Sequence, residues 1–179
     1  MSRIPPVDLA TASPEILEHH AEVTKTHVLT NMKAVLLHSP AASKAVLEWY
    51  TLFGRVKNFI GERDAVLLCF AISRANECEL CTTFMRRAII GWGENPEELT
   101  LTPREQLLWD FGTQLAQNPN RISDALYARL AAEFNHEQIV ELTVFGALMT
   151  VNNIFNGALR IDVDESLDPF RINPENYFA

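Results

Sequence analysis

Two cysteines three residues apart, Cys78 and Cys81, lie in the run Arg74-Ala75-Asn76-Glu77-Cys78-Glu79-Leu80-Cys81-Thr82-Thr83-Phe84-Met85. Residues i and i+3 share a helix face, so the pair can reach the Cα separation of about 4.4–6.8 Å that a disulfide needs. A peroxide oxidises one thiolate of such a pair to a sulfenic acid, and the neighbouring thiol condenses with it. An external thiol then resets the pair by exchange. Two other readings stay open from the residues alone. One is a pair of small core residues or an inert disulfide, and the other is part of a metal site. Zinc takes four Cys, His or carboxylate ligands, and the chain offers no second C-x-x-C motif and no spaced histidine pair. Of the histidines His19, His20, His27, His38 and His136, only His20 and His27 read as sharing a face, and all five read as solvated or core side chains. No metal and no cofactor is expected. The third cysteine, Cys69, sits in the apolar run Val66-Leu67-Leu68-Cys69-Phe70-Ala71.

The thiolate is the reactive form, and a helix N-terminus favours it. With Asn76 as the cap and Glu79 three residues on, the segment resembles a capping box. Cys78 then falls in the first turn and gains most from the helix dipole. Glu77 and Glu79 oppose a further negative charge, and Arg74, Arg86 and Arg87 are the cations within reach along the chain.

The elements that must hold this pair read as helical throughout. Ser13-Pro14 and Ser39-Pro40 are helix starts with proline in the first turn. The second helix is expected from Ala41 to Phe53, with Gly54 and Gly61 as punctuation. Glu62–Ser73 reads as a buried helix, apolar almost throughout positions 65–72. The cysteine helix is expected to run to Ile90 and stop at Gly91-Trp92-Gly93. Thr102-Pro103 opens a helix over Arg104–Ala116, Ser123 caps Asp124–Phe134, and Asn135 caps a long last helix through Leu159. The tail from Asp162, with Pro169 and Pro174, reads as irregular. The expectation is an all-α, single-domain helical bundle over residues 1–179 with about seven helices and no strand.

The 179 residues are 47% hydrophobic and carry a net charge of −8. That length supports one sizeable core. The acidic balance argues against nucleic acid as a partner and against a basic face for anionic membranes. The N-terminal segment lacks the apolar region of a signal peptide, and the longest strongly apolar run, Leu142–Val151, is too short to span a bilayer. A soluble cytoplasmic protein with no membrane partner is expected. In a reducing compartment a C-x-x-C pair more often does redox chemistry or binds metal than forms a structural disulfide. No G-x-S-x-G elbow, P-loop or dinucleotide fingerprint is present.

Two regions together resemble the carboxymuconolactone decarboxylase and alkyl hydroperoxidase D superfamily. The first is the buried helix followed by Asn76-Glu77-Cys78-Glu79-Leu80-Cys81. The second runs from Leu101-Thr102-Pro103-Arg104-Glu105 through Phe134-Asn135-His136-Glu137 to Val151-Asn152-Asn153-Ile154-Phe155-Asn156-Gly157-Ala158-Leu159, a pattern similar to the peroxidase-related branch. The likeness covers about residues 35–165. It implies an all-helical fold that assembles as a homo-oligomer, a trimer or a hexamer. It also implies reduction of a small-molecule hydroperoxide at the expense of a thiol reductant. Carried over, Cys81 is the attacking thiol and Cys78 resolves it, against the order that the dipole favours.

The family's proton relay is absent. Its histidine, four residues after the second cysteine, is Met85 here, and its glutamate, twelve before the first, is Val66. Two apolar residues accept no thiol proton and raise a thiolate's pKa by desolvation. Glu62, one turn before Val66, is the substitute base that spacing suggests, with His38 and His136 as further candidates. Along the last helix, Glu141, Asn152, Asn153 and Asn156 read either as a polar patch lining a pocket or, preferred, as hydrogen-bonding groups at helix or subunit contacts. Two alternatives to the peroxidase accompany it: a decarboxylase-like enzyme acting on a small carboxylated lactone, and a non-catalytic redox-responsive oligomer.

Overall fold

Apolar residues occupy every face of the segment 65–72, and a helix of that kind must be surrounded. In the computed structural model, which describes residues 2–172, α4 (Glu62–Ala75) is that helix, and Asp64 to Ser73 are all buried. Four helices pack around it: α3 (Pro40–Ile60), α5 (Glu79–Gly91), α6 (Pro103–Gln117) and α8 (His136–Leu159). Phe70, Leu68, Ile72, Ile89, Leu108, Leu142 and Phe145 fill the space between them with no exposure. Each such side chain contributes about 1.5–3 kcal/mol by leaving water. α1 (Pro14–Thr26), α2 (Asn31–Leu36) and α7 (Asp124–Glu133) cover the outside. The described residues contain no strand, so the all-α expectation holds.

The starts written in the sequence are used. Ser13, Ser39 and Ser123 each accept the backbone N–H three residues on, and Pro14 and Pro40 follow the first two. Thr102 with Glu105, and Asn135 with Gln138, close reciprocal capping boxes. The close approach of α6 to α4 depends on Gly112, where an added Cβ would lie 3.0 Å from the Leu68 carbonyl oxygen.

Several expectations are corrected. Gly54 does not end α3, because a glycine inside a helix costs only about 1 kcal/mol and Val56 and Ile60 beyond it are buried. Asn76 does not cap the cysteine helix. It is the C-cap of α4, and its side-chain N–H donates to Asn153 Oδ1 at 3.0 Å. Glu77 takes the left-handed conformation, φ 53°, so the chain re-enters helix with Cys78 as the N-cap of α5. The tail is not wholly irregular: a 3₁₀ helix spans Glu165–Phe170, and its Leu167 is buried. The part of the tail from residue 173 on, Pro174 included, lies outside the described residues. The expectation for Leu142–Val151 is not among these corrections, although α8 as a whole is long and apolar enough, by length and composition alone, to cross a membrane. Its Leu142, Phe145 and Met149 face the core, while Val140, Val144, Val151 and Ile154 face outward.

Candidate active site

The turn at Glu77 sets both sulfurs. Cys78 donates its backbone N–H to Ser73 O at 2.9 Å, which fixes it at the mouth of α5. Cys81 follows one turn in. Both cysteines are free thiols, each 5% exposed. The Cys81 S–H donates to the Cys78 sulfur. α8 supplies the other contacts from its buried asparagines. Asn156 donates its side-chain N–H to Cys81 Sγ at 3.2 Å. Asn153 donates to Ser73 Oγ at 3.3 Å while accepting from Asn76.

This arrangement splits the two proton affinities. The Cys78 thiol is held below the ordinary thiol value of 9.0, chiefly because Cys81 donates to it. Burial works the other way, and the Cys81 backbone amide and the amides of Asn153 and Asn156 assist the charge. The Cys81 thiol is pushed well above 9.0, first because it is the donor to Cys78, then by burial and by the nearby Cys78 charge. Of the two, Cys78 is therefore the thiol that gives up its proton first. Val66 and Met85 are each 6% exposed; at Cys78 the hydrogen bonds outweigh the burial. Cys69 is fully buried beyond this network, and burial alone drives its thiol far up.

The two sulfurs face different cavities. Cys81 lines an apolar one with Leu36, Trp49, Phe84, Met85 and Met149, to which Lys33, Asn152, Asn156 and Asp164 add polar groups. Cys78 lines a charged one with Glu77, Glu79, Arg160 and Arg171. Leu80 and Asn156 belong to both walls.

Glu62 stands apart. It is exposed in the first turn of α4 and lines neither cavity. Spacing put it on the face of Val66, but one turn back along α4 is the helix end, out in solvent. His38 donates its Nε2–H to Pro5 O, 2.9 Å away, and His136 is exposed at the start of α8. The asparagines combine both readings given to them: Asn153 braces α4 against α8, whereas Asn152 and Asn156 line the apolar cavity. Glu141 pairs with Arg55 on the surface instead. Lys33 carried no sequence signal beyond the Thr30 cap of the short helix α2, which the sequence reading did not anticipate. No group of three or more His, Cys, Asp or Glu side chains suited to a metal occurs among the described residues.

The architecture is a known one. The chain superposes with a TM-score of 0.75 on an alkylhydroperoxidase AhpD core, an uncharacterized peroxidase-related protein from Ralstonia eutropha JMP134, over 93% of this chain and 94% of that one at 16% identity. A peroxidase-related protein from Silicibacter sp. TM1040 gives 0.68 over 91% and 93% at 16% identity. The debrominase Bmp8, solved with 2,3,4-tribromopyrrole, gives 0.71 over 93% and 94% at 14% identity. No family model matches the sequence, and no curated protein does. The likeness defines the fold: the chain has the helical AhpD-type architecture.

Proposed function

We propose that the protein is a dithiol oxidoreductase that reduces a small hydroperoxide, with Cys81 as the attacking thiol and Cys78 as its proton acceptor and resolving partner. The observation that carries this reading is the adjacent pair of free thiols, Cys81 lining an apolar cavity and Cys78 a charged one, with the proton affinity lowered at Cys78 and raised at Cys81. The missing relay is not needed on this reading, since the partner sulfur does its work. The Cys81 proton passes to the Cys78 thiolate. The Cys81 thiolate then attacks the terminal peroxide oxygen, the O–O bond breaks, and the departing alkoxide takes the proton from Cys78. Cys78, again a thiolate, attacks the sulfenic acid, forming the S–S bond and expelling hydroxide. Per peroxide, one thiolate and one thiol become a disulfide, an alcohol and hydroxide. Two equivalents of an external thiol reduce the disulfide, entering at Cys78 from the charged cavity. Asn156 steadies the Cys81 thiolate as a hydrogen-bond donor.

Stopped-flow oxidation of the reduced protein by a hydroperoxide, with Cys81→Ser alongside, tests the proposal. Oxidation much faster than that of a free thiol, ending in a Cys78–Cys81 disulfide and lost in the variant, supports it. Oxidation at the free-thiol rate sinks it. A second reading draws on the debrominase neighbour and on the apolar cavity, which suits a halogenated ring. The same thiolate and thiol would give a disulfide, the dehalogenated ring and halide. Halide release from a bromopyrrole, absent with Cys81→Ser, would favour it. Lactone turnover that survives Cys81→Ser would instead favour the decarboxylase.

Self-association belongs to the same proposal. The outward stripe of α8, Val140, Val144, Ala147, Val151, Ile154 and Ala158, alternates steps of four and three residues and is exposed throughout. A 3-4 spacing of apolar residues suits packing against a second helix of the same kind.

A further inference from the structure

Lys33 shares the walls of the apolar cavity with Cys81 and is only 8% exposed. Its ammonium donates to the Val28 carbonyl at 2.9 Å and lies 5.0 Å from the centre of the Tyr50 ring. An ammonium has three N–H donors, and burying its charge is costly unless it is paired. One carbonyl and one ring face meet only part of that need, and Lys33 forms no ion pair among the described residues. Asp164 also lines the cavity, but its carboxylate accepts the backbone N–H of Asn31 at 2.8 Å, at the start of α2, and does not reach Lys33. Asp164 Oδ2 and the side-chain oxygens of Asn152 and Asn156 are buried there without partners, and the rest of the wall is largely apolar. The cavity therefore holds a cation with unused donors at one place and a thiol at another, with Leu36, Trp49, Phe84 and Met149 among the residues around them.

We propose that this cavity selects small apolar molecules that carry a carboxylate. Lys33 takes the carboxylate, and the apolar wall takes the body and turns its far end toward Cys81. The reaction at that end rests on the hydroperoxide reading above, whereas the binding does not. The centre of a water-sized sphere can occupy about 80 Å³ of the cavity. A space of that size suits a compact molecule such as one substituted ring. The carboxylate passes through the peroxide step unchanged.

The binding test uses unreactive probes. Calorimetry on the reduced full chain compares 4-isopropylbenzoate with its neutral amide. The expected result is binding of the benzoate at least about tenfold tighter, the effect of roughly 1.4 kcal/mol from one charged hydrogen-bonded contact. Lys33→Met should reduce that preference below about twofold. Lys33→Gln, which keeps a donor for the Val28 carbonyl, should do the same and guards against a folding defect. Equal binding of the two probes by the native chain, or a preference that survives both substitutions, overturns the proposal. Oxidation by cumene hydroperoxide and by its 4-carboxy derivative separates this site from the reaction. A Lys33-dependent preference in binding without oxidation by either peroxide leaves the carboxylate site standing and removes the peroxidase. Fast oxidation by both, with no preference in binding or rate, does the reverse.

Discussion

Replacing Asn156 with leucine isolates what the last helix does for the reactive sulfur. Asn156 is 3% exposed and donates to Cys81 Sγ at 3.2 Å, while its Oδ1 is buried without a partner. A hydrogen bond to a charged acceptor contributes about 1.5–3 kcal/mol. Sulfur is a diffuse acceptor, so the lower figure is the relevant one. Losing about 1.5 kcal/mol lowers the Cys81 thiolate population about 13-fold at a pH where the thiol predominates. A more basic thiolate is also a better nucleophile, with a Brønsted coefficient of about 0.4–0.5, which returns about a threefold gain. The net expectation is a fall of about fourfold in the rate at which Cys81 exchanges with a small aromatic disulfide, read in a Cys78→Ser background so that Cys78 does not react first. Stability should move by less than about 1 kcal/mol, because the change also removes an unpaired buried oxygen. Stopped-flow exchange kinetics and urea unfolding on Asn156→Leu read both quantities. A well-folded variant that exchanges at the native rate would refute the role given to Asn156. A fall of about a hundredfold would equally refute the arithmetic, since one hydrogen bond to sulfur does not supply it.

Ultraviolet titration of the reduced protein should show one thiolate per chain forming below the ordinary value of 9.0 and none further until well above it. Cys78→Ser should abolish the early step, and an early step that survives would assign the charge elsewhere. Glu62→Gln should leave Cys81 exchange within about twofold of native, because Glu62 is exposed and outside both cavities; a marked slowing would restore it as the base. Gly112→Ala should destabilise the fold by about 1–3 kcal/mol, as the new methyl meets the Leu68 carbonyl at 3.0 Å, and an unchanged urea midpoint would contradict the close α4–α6 packing. Val144→Lys with Ile154→Lys should lower the mass found by light scattering without changing far-ultraviolet dichroism; an unchanged mass would remove α8 from the subunit contact.

The elements of this protein are legible along the chain because their signals are local. Proline and serine starts, two capping boxes and the run at 65–72 each act within one or two turns, and the structure uses them as written. The candidate pair was legible for the same reason, since both sulfurs lie within one turn. What depended on long-range packing was not. Asn76 carries a cap's side chain, but its partner is Asn153 on α8, 77 residues away, and that contact moves the helix start to Cys78. Glu62 has the spacing of a base, yet spacing does not say where a helix ends at the surface. The unequal proton affinities of the two thiols follow first from their contact within one turn of α5, and only the part contributed by Asn153 and Asn156 depends on docking α8 against it. Lys33 meets the cavity only because the short helix α2 folds over it. Local sequence determines which segments become helices and offers the two thiols; only the packing of distant helices decides which side chains reach them and what each one faces.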